Sequence, residues 1–215
     1  MSEDPSSASP PGVLVGEHRQ REIAIRYRKL FGATPATKPL KKADIEHGFA
    51  LLNDALKRDQ RRATINLVGG AVMVLIHELR PSTLDIDGWL APENYIAQQI
   101  REVGLLLGDE RWLNKQALMY FPDQHPAKGD WVAYQTYSNL TIQTADARTM
   151  FSMKAMALRG AHDKLDFQYL SEILNISTLD EALLVIRRYY RETSLDQRSL
   201  VKIGEALDEL RTSGR

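Results

Sequence analysis

The apolar positions of the chain fall into stretches of two different periods. Ile23, Tyr27 and Leu30 share one face of a helix predicted over residues 17–31, with Arg19, Arg26 and Lys29 outside that face. Pro35, Pro39 and Gly32 interrupt the pattern. Ile45, Phe49, Leu52 and Leu56 then recur at helical spacing and predict a helix over 42–58. A partly β-branched run predicts a strand at Thr64–Val68, followed by a Gly69-Gly70 turn, a helix over 71–79 and a second strand at Leu84–Trp89. Pro92 suits the first turn of the next helix, which buries Ile96, Ile100, Val103 and Leu107 and stops at Gly108. Residues 121–130 are polar, with Pro122, Pro126 and Gly129, and read as a loop.

Trp131–Tyr134 and Leu140–Thr144 are the remaining candidate strands, and the pattern after Asp146 is helical throughout. Asp146 suits an N-cap, Ser177-Thr178-Leu179-Asp180 resembles a capping box, and Leu200, Ile203, Leu207 and Leu210 form the last apolar stripe. The expectation is an α/β fold: a small mixed sheet with N-terminal helices and an α-helical C-terminal portion. The expected parts are a disordered Ser/Pro tail (1–12), an N-terminal helix and linker (13–40), a core (41–145) and a helical portion (146–215).

Composition narrows the class more than the chemistry. The 28 basic and 28 acidic residues cancel, so bulk charge announces neither nucleic acid nor a membrane surface as a partner. With no cysteine there is no disulfide framework, thiolate metal site or Cys nucleophile, which fits a cytoplasmic protein. The longest apolar stretch, Ile65–Ile76, carries Asn66 and two glycines and is shorter than the ~20 residues a membrane span needs. The first eleven residues lack the apolar core of a signal peptide.

The densest chemistry lies in residues 69–87. Two glycines between a strand and a helix let the backbone approach a phosphate. Asp85 and Asp87, two apart on a strand, project to one face and offer paired carboxylates to a hard divalent cation such as Mg²⁺. A phosphate cradle and a two-carboxylate metal site joined by one helix are the parts that nucleotidyl transfer needs. Taken alone, Gly-Gly is a tight turn and Asp-x-Asp a solvated face; each gains meaning from the other.

The order of segments resembles a known family. Gly69-Gly70-Ala71 and Asp85-Ile86-Asp87 are followed by Trp112-Leu113-Asn114, Leu140-Thr141-Ile142, the run from Met150 through Lys154 to Arg159, and Asp163-Lys164-Leu165-Asp166. Over residues 45–190 this is similar to the bacterial and phage nucleotidyltransferases grouped with abortive-infection and type IV toxin–antitoxin systems, which have a polymerase-β-type fold. The resemblance implies a Mg²⁺- or Mn²⁺-dependent transferase that takes an NTP and moves its NMP to an RNA 3′ end or a protein hydroxyl, with an antitoxin protein as partner.

It also implies roles. Asp85 and Asp87 would be catalytic metal ligands, and the Gly69, Gly70 and Ala71 backbone would hold phosphate. Thr83 would point a hydroxyl into the site, its bland alternative being an ordinary strand-start residue. Lys154 would contact the triphosphate, or else snorkel beside the Met150–Met153 stripe; Arg159 is a weaker candidate for the same work. Asp166 would be a site residue supporting Lys154; Asp163 shares its helix face, with a plain helix N-cap as its bland alternative. Arg80 would bind phosphate or pair with an acid.

The chain departs from the family in several ways: Arg80 stands one residue further from Asp85 than in relatives, His162 replaces the usual basic residue before Asp163, and two other departures bear on the chemistry. Many relatives carry Ser or Thr where Ala71 stands, and no third carboxylate is evident beyond Asp130 and Asp146, neither well placed on a strand. Those departures motivate an alternative of another kind: a degenerate nucleotidyltransferase fold serving as a nucleotide-sensing or partner-binding module. His77, His125 and His162 lack metal-ligand spacing, and Trp112 and Trp131 read as packing residues.

Overall fold

The computed structural model describes residues 39–92, 96–109, 112–191 and 194–213. The predicted tail at 1–12 and the predicted helix at 17–31 lie outside them. Five strands make one mixed sheet: β1 (Ala63–Val68), β2 (Ile86–Ala91), β3 (Leu113–Asn114), β4 (Trp131–Thr136) and β5 (Leu140–Ala145), in the order β3-β2-β1-β5-β4. β1 runs antiparallel to β2 and parallel to β5. Ile65 and Leu67 are fully buried while Thr64 and Asn66 are half-buried, the period-two signature of a strand with unequal faces. Ile65 pairs with Ile142 and Leu67 with Thr144, so the buried face continues across the strands.

Seven α-helices surround the sheet among the described residues: α1 (Lys42–Arg58), α2 (Gly69–Leu75), α3 (Ala97–Leu107), α4 (Ala147–Met156), α5 (Ala161–Ile173), α6 (Leu179–Tyr189) and α7 (Gln197–Ser213). α1 occupies the predicted span and buries Ile45, Phe49, Leu52 and Leu56 completely. Burying each such side chain contributes about 1.5–3 kcal/mol, so packing rather than helix propensity holds α1 in place. It packs on α3, where buried Trp112 sits against Phe49 and donates its indole N–H to the Ile100 carbonyl at 3.0 Å. α4 packs on α5 and α6, and α5 on α7, with Phe151 and Phe167 stacked at 4.8 Å between α4 and α5. One apolar cluster runs from Ile45 through the sheet to Leu207. No helix of the described residues is long and apolar enough to cross a membrane.

Four local features differ from the pattern. The helix after the glycines spans Gly69–Leu75 rather than 71–79, because Glu78 turns left-handed (φ 48°) and the Leu79 N–H returns to the Met73 carbonyl at 3.1 Å. β2 starts at Ile86, since Thr83 instead exchanges two backbone hydrogen bonds with Leu40, at 2.7 and 2.9 Å. β2 continues to Ala91, paired with Thr64, so Pro92 falls ahead of α3 rather than in its first turn. The capping box of α6 lies one residue later than predicted, on Thr178 and Glu181, because the Glu181 carboxylate accepts the N–H of both Ser177 (2.8 Å) and Thr178 (3.0 Å). Asp146 caps α4 as predicted, accepting the Thr149 N–H at 2.7 Å.

Candidate functional site

The antiparallel register of β1 and β2 decides what meets at the end of the sheet. Val68 is paired with Asp87, so the chain leaves β1 for the Gly69-Gly70 turn directly beside the start of β2. Gly69 has φ +70°, in the region that side chains disfavour, and a Cβ there would lie 3.3 Å from Asp87 Oδ2. A Cβ on Gly70 would collide with Thr83 Oγ1, with Arg80 Nη1 at 3.5 Å. Both glycines are therefore required, one by conformation and one by space. Ala71 is buried and brings no hydroxyl, while the Thr83 hydroxyl approaches the same turn from across.

Asp87 is nearly buried, and its carboxyl is pushed up to about 6. Desolvation is the main cause and the charge of Asp85 adds to it; the N–H groups of Ala117 and Gln116 and the charge of Lys154 oppose it. The Ala117 N–H donates to Asp87 Oδ1 at 2.8 Å, and Asn114 Nδ2 donates to Asp85 at 3.1 Å. Two adjacent carboxylates, one strongly desolvated and repelled by the other, form a donor set that a divalent cation would relieve. The pair fits Mg²⁺ or Mn²⁺ by oxygen chemistry and charge. Among the described residues no group of three or more His, Cys, Asp and Glu side chains is arranged as a metal site.

A second cluster stands beside the first. Asp166 is completely buried on α5 and takes a bidentate pair from Arg80, through Nε at 3.0 Å and through Nη2. The Lys154 ammonium on α4 reaches Asp166 at 2.7 Å and Asp163 at 3.0 Å. Lys154 thus neither snorkels nor stands alone: it is buried and tied to two acids. Asp163 is not the helix cap, a position held by Gly160, and it also meets Arg159 at 3.6 Å. A buried acid that holds two cations is a positioning device, since leaving either cation unpaired would cost several kcal/mol.

A cavity of about 40 Å³ is lined by members of both groups, among them Gly69, Ala117, Tyr120, Lys154 and Arg159. That volume corresponds to a few waters. The Arg159 guanidinium closes one side, 4.5 Å above the centre of the Tyr120 ring, with Nη1 2.9 Å from the phenol oxygen.

The remaining candidates are engaged elsewhere. Asp146 caps α4, and Asp130 accepts from the Tyr189 hydroxyl at 2.7 Å and pairs with Arg188 at 3.1 Å. His77 lies edge-on to Tyr169, its ring centre 5.5 Å away, and His125 accepts the Ala127 N–H at 3.2 Å. Trp131 stacks on Phe121 at 5.4 Å.

Asn114, Ala117 and Tyr120 join the site; the sequence marks Asn114 only as part of the Trp112-Leu113-Asn114 segment, with no role, and marks the other two not at all. They sit on β3 and the 3-10 turn at Gln116–Tyr120, where the sequence shows neither period. The one available signal was the two-residue apolar stretch before Asn114, and a backbone donor such as Ala117 leaves no trace in residue type. Among known proteins, no family model matches the chain, and neither a curated protein nor a solved structure matches it.

Proposed function

We propose that the protein is a Mg²⁺-dependent nucleotidyltransferase with a polymerase-β-type core, moving an NMP from an NTP to an RNA 3′ end or a protein hydroxyl. The observation that carries this reading is the placement of the Gly69-Gly70 turn against Asp87 by the β1–β2 register, with Asp85 and Lys154 both acting on that carboxylate. Asp85 and Asp87 would hold the cation, which when bound would screen phosphate charge and orient the triphosphate. The Gly69–Ala71 backbone would donate N–H groups to phosphate oxygens, with Thr83 supplying the hydroxyl that Ala71 lacks. The acceptor oxygen bonds to the α-phosphorus and the bond to the β-phosphate oxygen breaks. Pyrophosphate leaves with the electron pair, and the acceptor's proton is released to solvent. Lys154, held by Asp163 and Asp166, would stabilise charge on the transferred and leaving groups. By resemblance the role is that of a cytoplasmic toxin in a toxin–antitoxin or phage-defence system, restrained by an antitoxin protein.

A nucleotide-sensing or partner-binding module is the second reading. It is favoured by the small cavity, by Ala71 and by the double tether on Lys154. One experiment separates the two. The protein is incubated with cellular RNA or protein and each NTP, labelled at the α- or the γ-phosphate. Transfer of α-label but not γ-label, lost in Asp85→Asn and Asp87→Asn, supports the enzyme. Stoichiometric NTP binding without label transfer supports the module and overturns the enzyme.

A further inference from the structure

Tyr120 lines two hollows at once. On one side is the small cavity that reaches Gly69 and Lys154; on the other is a groove of about 580 Å³ whose walls include Phe121, Gln124, Met156, Tyr190 and Ser199. The groove lies in the ~300–1,000 Å³ range of small-molecule sites, whereas the small cavity, about 40 Å³, is too small for a nucleoside. A triphosphate gripped at Gly69–Ala71 would therefore carry its nucleoside past Tyr120 and into the groove.

The shelf at Tyr120 is fixed from behind. The Tyr190 hydroxyl donates to the Tyr120 carbonyl, and next along the chain Phe121 stacks on Trp131 with the rings 8° from parallel. The face of the Tyr120 ring already accepts one flat group, the Arg159 guanidinium at 4.5 Å. Arg159 lines the small cavity and has a second partner in Asp163 at 3.6 Å, which holds the guanidinium on that side of the ring. Met119 beside the shelf is 64 % exposed, a polarisable and adaptable side chain suited to an aromatic edge.

We infer that Tyr120 is the nucleobase platform of this protein: the base of the NTP stacks on its ring from the groove, with the Arg159 guanidinium over the ring on the side of the small cavity. This rests on the nucleotidyltransferase reading and adds to it where the nucleoside lies. The groove's acidic members, Asp123 and Asp196, make it a poor track for a polyanionic acceptor strand and a better place for the donor-bearing edge of a base.

The test compares two probes on the full chain with Mg²⁺: a non-hydrolysable NTP, and inorganic tripolyphosphate, which has no base. Tyr120→Ala should weaken NTP binding about tenfold to a hundredfold, as loss of a base–aromatic stack does. Tripolyphosphate affinity should stay within about twofold. Tyr120→Phe, which keeps the ring, should restore NTP affinity. Unchanged NTP affinity in folded Tyr120→Ala, or an equal loss for both probes, overturns the platform while leaving the nucleotidyltransferase reading standing. A wild-type chain that binds neither probe overturns that reading and the platform with it. Should Tyr120→Ala fail to fold, photolabelling of the wild-type protein with an azido-base NTP decides. Label on the peptide carrying residues 116–124 supports the platform, and label confined elsewhere overturns it.

Discussion

Replacing Asp87 by Asn should stabilise the protein in the absence of metal, against the usual expectation for a buried polar residue. The carboxyl is pushed from its ordinary 3.8 to about 6, chiefly by burial and secondarily by Asp85. A carboxyl whose folded-state pKa is raised binds its proton more tightly when folded, so the ionised form opposes folding. That opposition is fully present above about pH 6 and fades as the pH falls toward 3.8. At about 1.4 kcal/mol per tenfold change in proton affinity, the rise corresponds to a ceiling of about 3 kcal/mol. Asn keeps an oxygen for the Ala117 N–H and removes the charge. Thermal unfolding in EDTA at pH 7.5 should give a Tm for Asp87→Asn at least about 2 °C above wild type, since about 1 kcal/mol moves Tm by ~2–4 °C at this size. The advantage should shrink between pH 6 and 4. Added Mg²⁺ should raise the wild-type Tm and leave the variant unchanged. A metal-free Asp87→Asn that is less stable than wild type at pH 7.5 would refute the desolvated-carboxylate reasoning.

Asp166→Ala should destabilise by about 3–5 kcal/mol in urea unfolding, because Arg80 and Lys154 lose their shared buried partner; a change below about 1 kcal/mol would show the cluster to be solvated. Lys154→Ala should likewise lower stability as well as turnover, since it leaves Asp163 and Asp166 short of a cation. His77, lowered to about 4 by burial, should contribute stability above pH 6.5 that is lost as pH falls toward 4. His77→Gln should flatten that part of the urea-unfolding profile, and an unchanged slope would contradict it. Gly48→Ala in α1 should lower Tm by forcing a Cβ to 2.7 Å from Trp112, and an unchanged Tm would contradict the tight packing there.

The helices and strands were legible where one face is fully buried. α1 and β1 follow the apolar positions because Ile45, Phe49, Leu52, Ile65 and Leu67 share one core. Boundaries set by hydrogen bonds across the chain were not: the Leu40–Thr83 bridge that delays β2, or Leu79 folding back on Met73. At the candidate site the charged residues stood out by type, but their pairing did not. Arg80 and Asp166 are 86 positions apart and are joined only when α5 packs near the Gly turn. The partners from Asn114 to Tyr120 lie on an irregular segment, where neither period nor composition marks a donor or a ring.

The most direct test of the central claim is a crystal structure with a non-hydrolysable NTP and Mn²⁺, located by its anomalous scattering. The account predicts an ion bridging Asp85 and Asp87, phosphate oxygens on the Gly69–Ala71 backbone and the Lys154 ammonium within reach of the triphosphate. An ion or a triphosphate bound elsewhere, with Asp85 and Asp87 contacting neither, would contradict it.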